Sequence, residues 1–176
     1  MTSDRIRAAI IRVARQRRAA ALIVAACITP ATAAADADAE PTSTAPDLRG
    51  IWYAYEAADQ TTSTIELYLD AGRLSGRMLA ITDANGQPRN WRCARCDGDL
   101  HDAPVIGARF LRDLKPGQGR WADGDVVDLR PGLTQGVHAK AELTLDEQGR
   151  LTLLGYRGLR SLGQSRVWTR QPAPAH

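Results

Sequence analysis

The sequence predicts an all-β fold: an up-and-down antiparallel barrel of about eight strands, closed or somewhat flattened, with a two-sheet sandwich as the alternative. Three observations carry this. Apolar residues alternate with polar ones through most of the chain, turn signals recur at short intervals, and no stretch after residue 48 has a three-turn helical period. The clearest alternation sets Val137, Ala139, Ala141, Leu143 and Leu145 against His138, Lys140, Glu142 and Thr144. Residues 63–69 repeat it, with Ile65, Leu67 and Leu69 opposed to Thr64, Glu66 and Tyr68. Asp70-Ala71-Gly72 then leads into a strand at 73–82, and Glu147-Gln148-Gly149 makes a second hairpin. Further strands are expected at 51–56, 106–114, 120–129, 151–156 and 165–170, punctuated by Lys115-Pro116-Gly117 and Arg130-Pro131-Gly132. So many antiparallel strands must close or split into two sheets, because an open sheet leaves edges that aggregate.

The 176 residues suffice for one domain. Six arginines against Asp4 in residues 1–35 account for the basic balance, and the remaining chain holds 17 basic and 19 acidic residues. A mature domain that is slightly acidic lacks the clustered positive field that nucleic-acid binding uses. The basic stretch ending at Arg18, the apolar run from Ala19 and the small residues after Pro30 follow the order of a secretory signal. The run is shorter than the roughly 20 residues a membrane-spanning helix needs, so no transmembrane anchor is expected after processing. Cleavage is expected at Ala31-Thr32-Ala33 or Ala33-Ala34-Ala35, which would start the mature protein near residue 34 or 36. Val24-Ala25-Ala26-Cys27 offers a competing lipoprotein route. The expected organisation is a signal segment over 1–35, a flexible stalk over 36–47, one barrel domain over 48–170 and a disordered tail over 171–176. The expected location is the periplasm or the exterior.

Gly50-x-Trp52 opens the domain and Trp168-Thr169-Arg170 ends it. In a closed barrel the first and last strands are neighbours, and an arginine stacked on an indole contributes about 0.5 to 2 kcal/mol. The pairing of Trp52 with Arg170 resembles the closure by which lipocalins (calycin-type barrels) seal one end; the alternative is two unrelated core tryptophans. Gly72-Arg73-Leu74-Ser75-Gly76-Arg77, Gly119-Arg120-Trp121 with Gly124-Asp125-Val126-Val127-Asp128, and the closing run 151–170 are similar to segments of the exported bacterial family called domain of unknown function 2147. After Asp128 the chain departs from that pattern, with Leu129-Arg130-Pro131-Gly132 in place of the family's usual turn. The resemblance implies a lipocalin-like barrel outside the cytoplasm and brings no catalytic residues.

Cys93-Ala94-Arg95-Cys96 in an oxidising compartment reads first as a small-loop disulfide pinning the 83–104 loop. A redox site would need a helix N-terminus, and zinc would need a fourth ligand beside Cys93, Cys96 and His101. Asp97-Gly98-Asp99 and Asp123-Gly124-Asp125 read as turns before they read as carboxylate pairs. His138 falls on a polar strand face. Arg89, Arg92 and Arg95 around Trp91 form a solvated face or, alternatively, an anion clamp. No nucleophile stands with a base and no metal set is complete, so no catalytic residue, metal or cofactor is expected and a non-enzymatic role is favoured.

Small side chains at Gly76, Ala80, Ala139 and Ala141, with Phe110 the single phenylalanine, leave a barrel interior short of bulk. The expected consequence is a ligand cavity lined by Ile65, Leu67, Met78, Val137, Ala139, Ala141, Leu143 and Leu153. It would hold a small apolar or amphipathic molecule. The rival expectation is a filled barrel serving as a structural or protein-interaction module of the envelope.

Overall fold

The computed structural model describes residues 44–172. The signal segment, residues 36–43 of the stalk and residues 173–176 of the tail lie outside the described residues. Eight strands follow one another: β1 (Gly50–Glu56), β2 (Thr61–Asp70), β3 (Arg73–Thr82), β4 (Arg109–Gly117), β5 (Arg120–Val127), β6 (His138–Leu145), β7 (Leu151–Tyr156) and β8 (Gln164–Thr169). Each pairs antiparallel with the next and β8 returns to β1, so the sheet is a closed barrel rather than a sandwich. Among the described residues the helical content is two short 3-10 turns, and no helix is long and apolar enough to cross a membrane.

One end of the barrel is shut. The Trp52 indole lies buried and donates to the Leu48 carbonyl at 2.8 Å. The Arg170 guanidinium stacks 3.9 Å from its ring centre and donates to the Ile51 carbonyl at 3.2 Å. Gly50 makes room for that stack: its φ is +107°, and a Cβ there would stand 2.9 Å from Arg170 Nη1. Residues 44–47, expected as the end of the stalk, instead lie against this end. The Pro46 carbonyl accepts from the Trp121 indole at 2.8 Å, and Ala45 packs on the core. Above the clamp, Leu67, Leu74, Leu111, Leu114, Leu143 and Leu151 are fully buried and fill the lower half.

Several expected positions shift, each for a local reason. The fourth strand runs over 109–117 and not 106–114, because residues 103–108 are held by loop bonds such as Ala108 N–H to the Val105 carbonyl. Lys115-Pro116-Gly117 is therefore strand, not turn; Pro116 sits opposite Trp121. It lies past Leu74↔Leu114, the last pairing of β3 with β4, so its missing N–H leaves no ladder bond unmade there. An irregularity at Thr64/Ile65 pairs Thr64 with Ala80 and Ile65 with Met78, leaving Leu79 as the extra residue. The alternation slips by one, and Ala80, expected inward, pairs on the outer face. Leu69 and Leu145, expected inward, lie exposed near strand ends. Glu142, expected on a solvated face, is buried because the 3-10 turn Arg160–Leu162 folds over β7 and brings Arg160 to it, with contacts of 2.5 and 3.0 Å.

The β2–β3 turn uses Ala71 at φ +47° followed by Gly72 at φ +76°. Two positive φ angles define the tight hairpin turn whose preferred pair is Asn-Gly, and alanine at the first position is strained. Ala71→Asn is expected to raise unfolding free energy by about 0.5 to 1 kcal/mol without altering spectra of the folded state. Urea denaturation checks it, and an unchanged midpoint would refute the turn assignment.

Candidate functional site

The upper half of the barrel is not filled. At the level above Leu67 and Leu143 the inward positions carry Ala54, Ser63, Ala139 and Gly155, side chains too small to meet across the axis. They leave a cavity of about 380 Å³, walled by Ile65, Met78, Ile81, Phe110, Leu153 and Trp168. That volume is within the range that holds small organic ligands.

Five of the eight residues expected around a cavity border it: Ile65, Met78, Val137, Ala139 and Leu153. Leu67, Ala141 and Leu143 do not; all three are buried in the packed lower half. Gly76 creates no space either, since Leu67 Cδ2 and Leu111 Cβ stand 2.9 and 3.3 Å from where its Cβ would be. The alternation placed these residues on the correct face but carried no information about their height along the axis.

Loops close part of the open end. In the long connection between β3 and β4, Cys93 and Cys96 are joined by a disulfide and fully buried. In this bonded state neither sulfur is a free thiolate that could ligate zinc. His101 Nδ1 lies 2.9 Å from the Cys96 carbonyl. Among the described residues no group of three His, Cys, Asp or Glu side chains is placed to hold a metal. Trp91 turns its indole over the cavity and donates to the Leu129 carbonyl at 2.7 Å. Gln135 ties the β3–β4 and β5–β6 connections together, accepting from Arg95 N–H at 3.4 Å and donating to the Arg92 carbonyl at 3.3 Å. Gly136, at φ +83°, allows the approach, because a Cβ there would overlap the Arg95 carbonyl oxygen. The expected arginine cluster is dispersed: Arg92 pairs with Asp102 at 3.0 Å, and Arg89 reaches Asp83 at 3.9 Å. The Asp-Gly-Asp segments do not act as pairs, since Asp99 takes both its bonds from Arg112 and Asp125 accepts from Lys140. His138 is exposed.

Across the mouth runs a charged bridge that no periodicity signals. Arg130 reaches from the β5–β6 connection to Glu56 on β1 at 2.9 Å, while its Nε and Nη2 bind Asp128 at 2.9 and 2.6 Å. Arg166, inward on β8, lies 3.5 Å from the same Glu56. Burial pushes the Asp128 carboxyl up, but the side-chain and backbone hydrogen bonds from Arg130 push it further down, below the usual carboxylate range. Asp128 in turn holds Arg130 even more firmly protonated than usual. The seam beside this bridge is thinly stitched: β1 and β8 pair only at Tyr53↔Thr169 and Ala54↔Trp168. Above that point Tyr55 and Val167, both exposed, border the cavity.

Residues 50–170 match the model of the family DUF2147, described as an uncharacterized protein conserved in bacteria. The chain belongs to this family. Among solved structures the chain is similar to protein HP1028 from the human pathogen Helicobacter pylori, described as belonging to the lipocalin family. The identity is 19%, the TM-score 0.59, and the match covers 71% of this chain and 83% of that one, a likeness of fold. No curated protein sequence matches the chain. The DUF2147 domain is thus an eight-stranded lipocalin-like barrel, clamped at one end and hollow near the other.

Two outcomes test the mouth. So short a disulfide loop constrains the unfolded chain weakly, so Cys93→Ala/Cys96→Ala is expected to cost about 1 to 2 kcal/mol. Thiol counting in denaturant without reductant should find both cysteines blocked, and two reactive thiols would contradict the bridge. A carboxylate with a depressed folded pKa contributes stability above its unfolded titration and loses it as pH falls through the folded value. Asp128→Asn should therefore lower stability by about 1 to 2 kcal/mol at pH 7, and the gap from wild type should close progressively below about pH 4. Denaturant midpoints across that range check it; a pH-independent gap would contradict the ion-pair reading.

Proposed function

We propose that this DUF2147 protein is an exported, non-enzymatic binding protein of the cell envelope that holds a small apolar or amphipathic molecule in the upper half of its barrel. The observation that carries the reading is the 380 Å³ cavity, walled by Ile65, Met78, Phe110, Leu153 and Trp168 and open beside β1 and β8. An interior that excludes neither ligand nor water gives up packing that a purely structural barrel would keep. The cavity therefore supports ligand binding over the filled-barrel alternative. Export is supported by the basic-apolar-small order of residues 1–35 and by the buried Cys93–Cys96 disulfide, a bond that persists in oxidising compartments.

The test uses the neutral dye N-phenyl-1-naphthylamine. Wild type is expected to bind it saturably, one dye per chain. Ala139 borders the cavity, so Ala139→Leu should fill vacant space, changing stability by less than about 1 kcal/mol while weakening dye binding about tenfold or more. Ala141 is fully buried between Gly124 and Gly155, so Ala141→Leu should instead cost about 1 to 3 kcal/mol through overpacking. Absence of saturable binding, with both substitutions equally damaging, would sink the reading.

A further inference from the structure

The head of the bound molecule is specified by which hydrogen-bonding groups at the mouth are already spent. The carboxylates are committed. Asp128 accepts from Arg130 Nε, Nη2 and backbone N–H, Glu56 accepts from Arg130 Nη1, and Asp59 accepts from the Thr61 hydroxyl at 2.7 Å. Arg130 is likewise consumed by Asp128 and Glu56. Two guanidinium groups that border the cavity are not. Arg166 has its Nη1 on the neighbouring Ser165 carbonyl at 3.1 Å and its Nε 3.5 Å from a Glu56 oxygen that Arg130 already occupies. Arg157, exposed at the start of the β7–β8 connection, makes no hydrogen bond or ion pair with any described residue.

The position of these groups adds an orientation. Above Ala54↔Trp168 the first and last strands carry no backbone pairing, and the cavity reaches the surface there between Tyr55 and Val167. Arg166 stands inside that gap, opposite Leu153 in register, with the apolar wall of Ile65, Phe110 and Trp168 below it. An apolar floor under guanidinium groups whose donors are only partly taken up matches a molecule with a tail and an acceptor-rich, negatively charged end.

We propose that the occupant is an anionic amphipath, its tail in the apolar upper half and its carboxylate or phosphate head between β1 and β8 on Arg166 and Arg157. The inference rests on the cavity being a binding site. A head group in this gap takes up the donors that Glu56 leaves unfilled, and it leaves the Arg130–Asp128 pair intact.

The experiment compares decanoate, decyl phosphate, decanol and decyltrimethylammonium on the full chain, by calorimetry and by displacement of N-phenyl-1-naphthylamine. Decanoate and decyl phosphate are expected to bind about tenfold or more tightly than decanol, with the cation weakest, as for a charge-assisted contact of partly exposed arginine. The tighter of the two anions identifies the head. Arg166→Gln should reduce anion affinity about tenfold and Arg157→Gln about threefold, while decanol and dye stay within about twofold of wild type. Equal affinity for decanol and both anions overturns the inference and leaves the cavity reading standing. So does an Arg166→Gln variant that weakens all four ligands alike, since that marks a structural role. No binding of dye or any decyl compound overturns both. Should Arg166→Gln not fold, Arg157→Gln and the wild-type head-group series decide the matter alone.

Discussion

An eight-stranded closed sheet encloses a space that inward side chains are just able to fill, and in this protein that filling is distributed unevenly along the axis. Tryptophan and leucine side chains occupy the closed half: Trp52, Leu67, Leu74, Leu114, Trp121 and Leu143 meet there with almost no exposure. In the other half Ala54, Ser63, Ala139 and Gly155 interrupt the apolar wall with side chains too small to meet across it. The packed half supplies the apolar burial that holds the ring together, at roughly 25 cal/mol per Å² removed from water. That stability leaves the upper half free to stay hollow. The division also explains why the polar connections all gather at one end. Backbone that crosses an unfilled mouth must find its own partners, and Gln135, Trp91 and Arg130 provide them.

Much of the fold was legible because strand period and turn chemistry are local. The β2–β3 and β6–β7 hairpins stand where Ala71-Gly72 and Gln148-Gly149 placed them, and the Trp52–Arg170 contact was readable from the two ends of the domain. Strand offsets and register slips were not legible. Nothing around Pro116 announces that β3 begins too late to pair with it, and nothing at Leu79 announces a slip of register that turns Ala80 outward. The candidate site divides in the same way. Inward and outward could be assigned from alternation, whereas height along the axis depends on where each strand starts relative to its neighbours, so Ala141 and Leu143 were grouped with Ala139 although they lie deeper. Arg130 and Arg166 were invisible as a set, because one comes from a turn and the other from a strand whose alternation is broken by a charge facing inward. That inward charge was the single available signal.

Membership of DUF2147 and likeness to a lipocalin-family structure speak to architecture. Barrels of this kind present similar walls to very different contents, so chemistry has to be argued from the residues at the mouth. Here those residues come from connections rather than strands, apart from Glu56 and Arg166.

The clamp at the closed end also has a kinetic side. Every other strand pairing joins neighbours in sequence, but β8 must return to β1 to complete the ring, and the Arg170 to Ile51 bond beside that pairing spans 119 residues. Loop-closure entropy makes such a contact the most expensive to form early. A hairpin meander can therefore assemble from β2 to β7 as an open, curled sheet with two bare edges, vulnerable to pairing with other chains until the first and last strands meet. The hollow half lies on that same seam, so its wall is incomplete until the first and last strands meet.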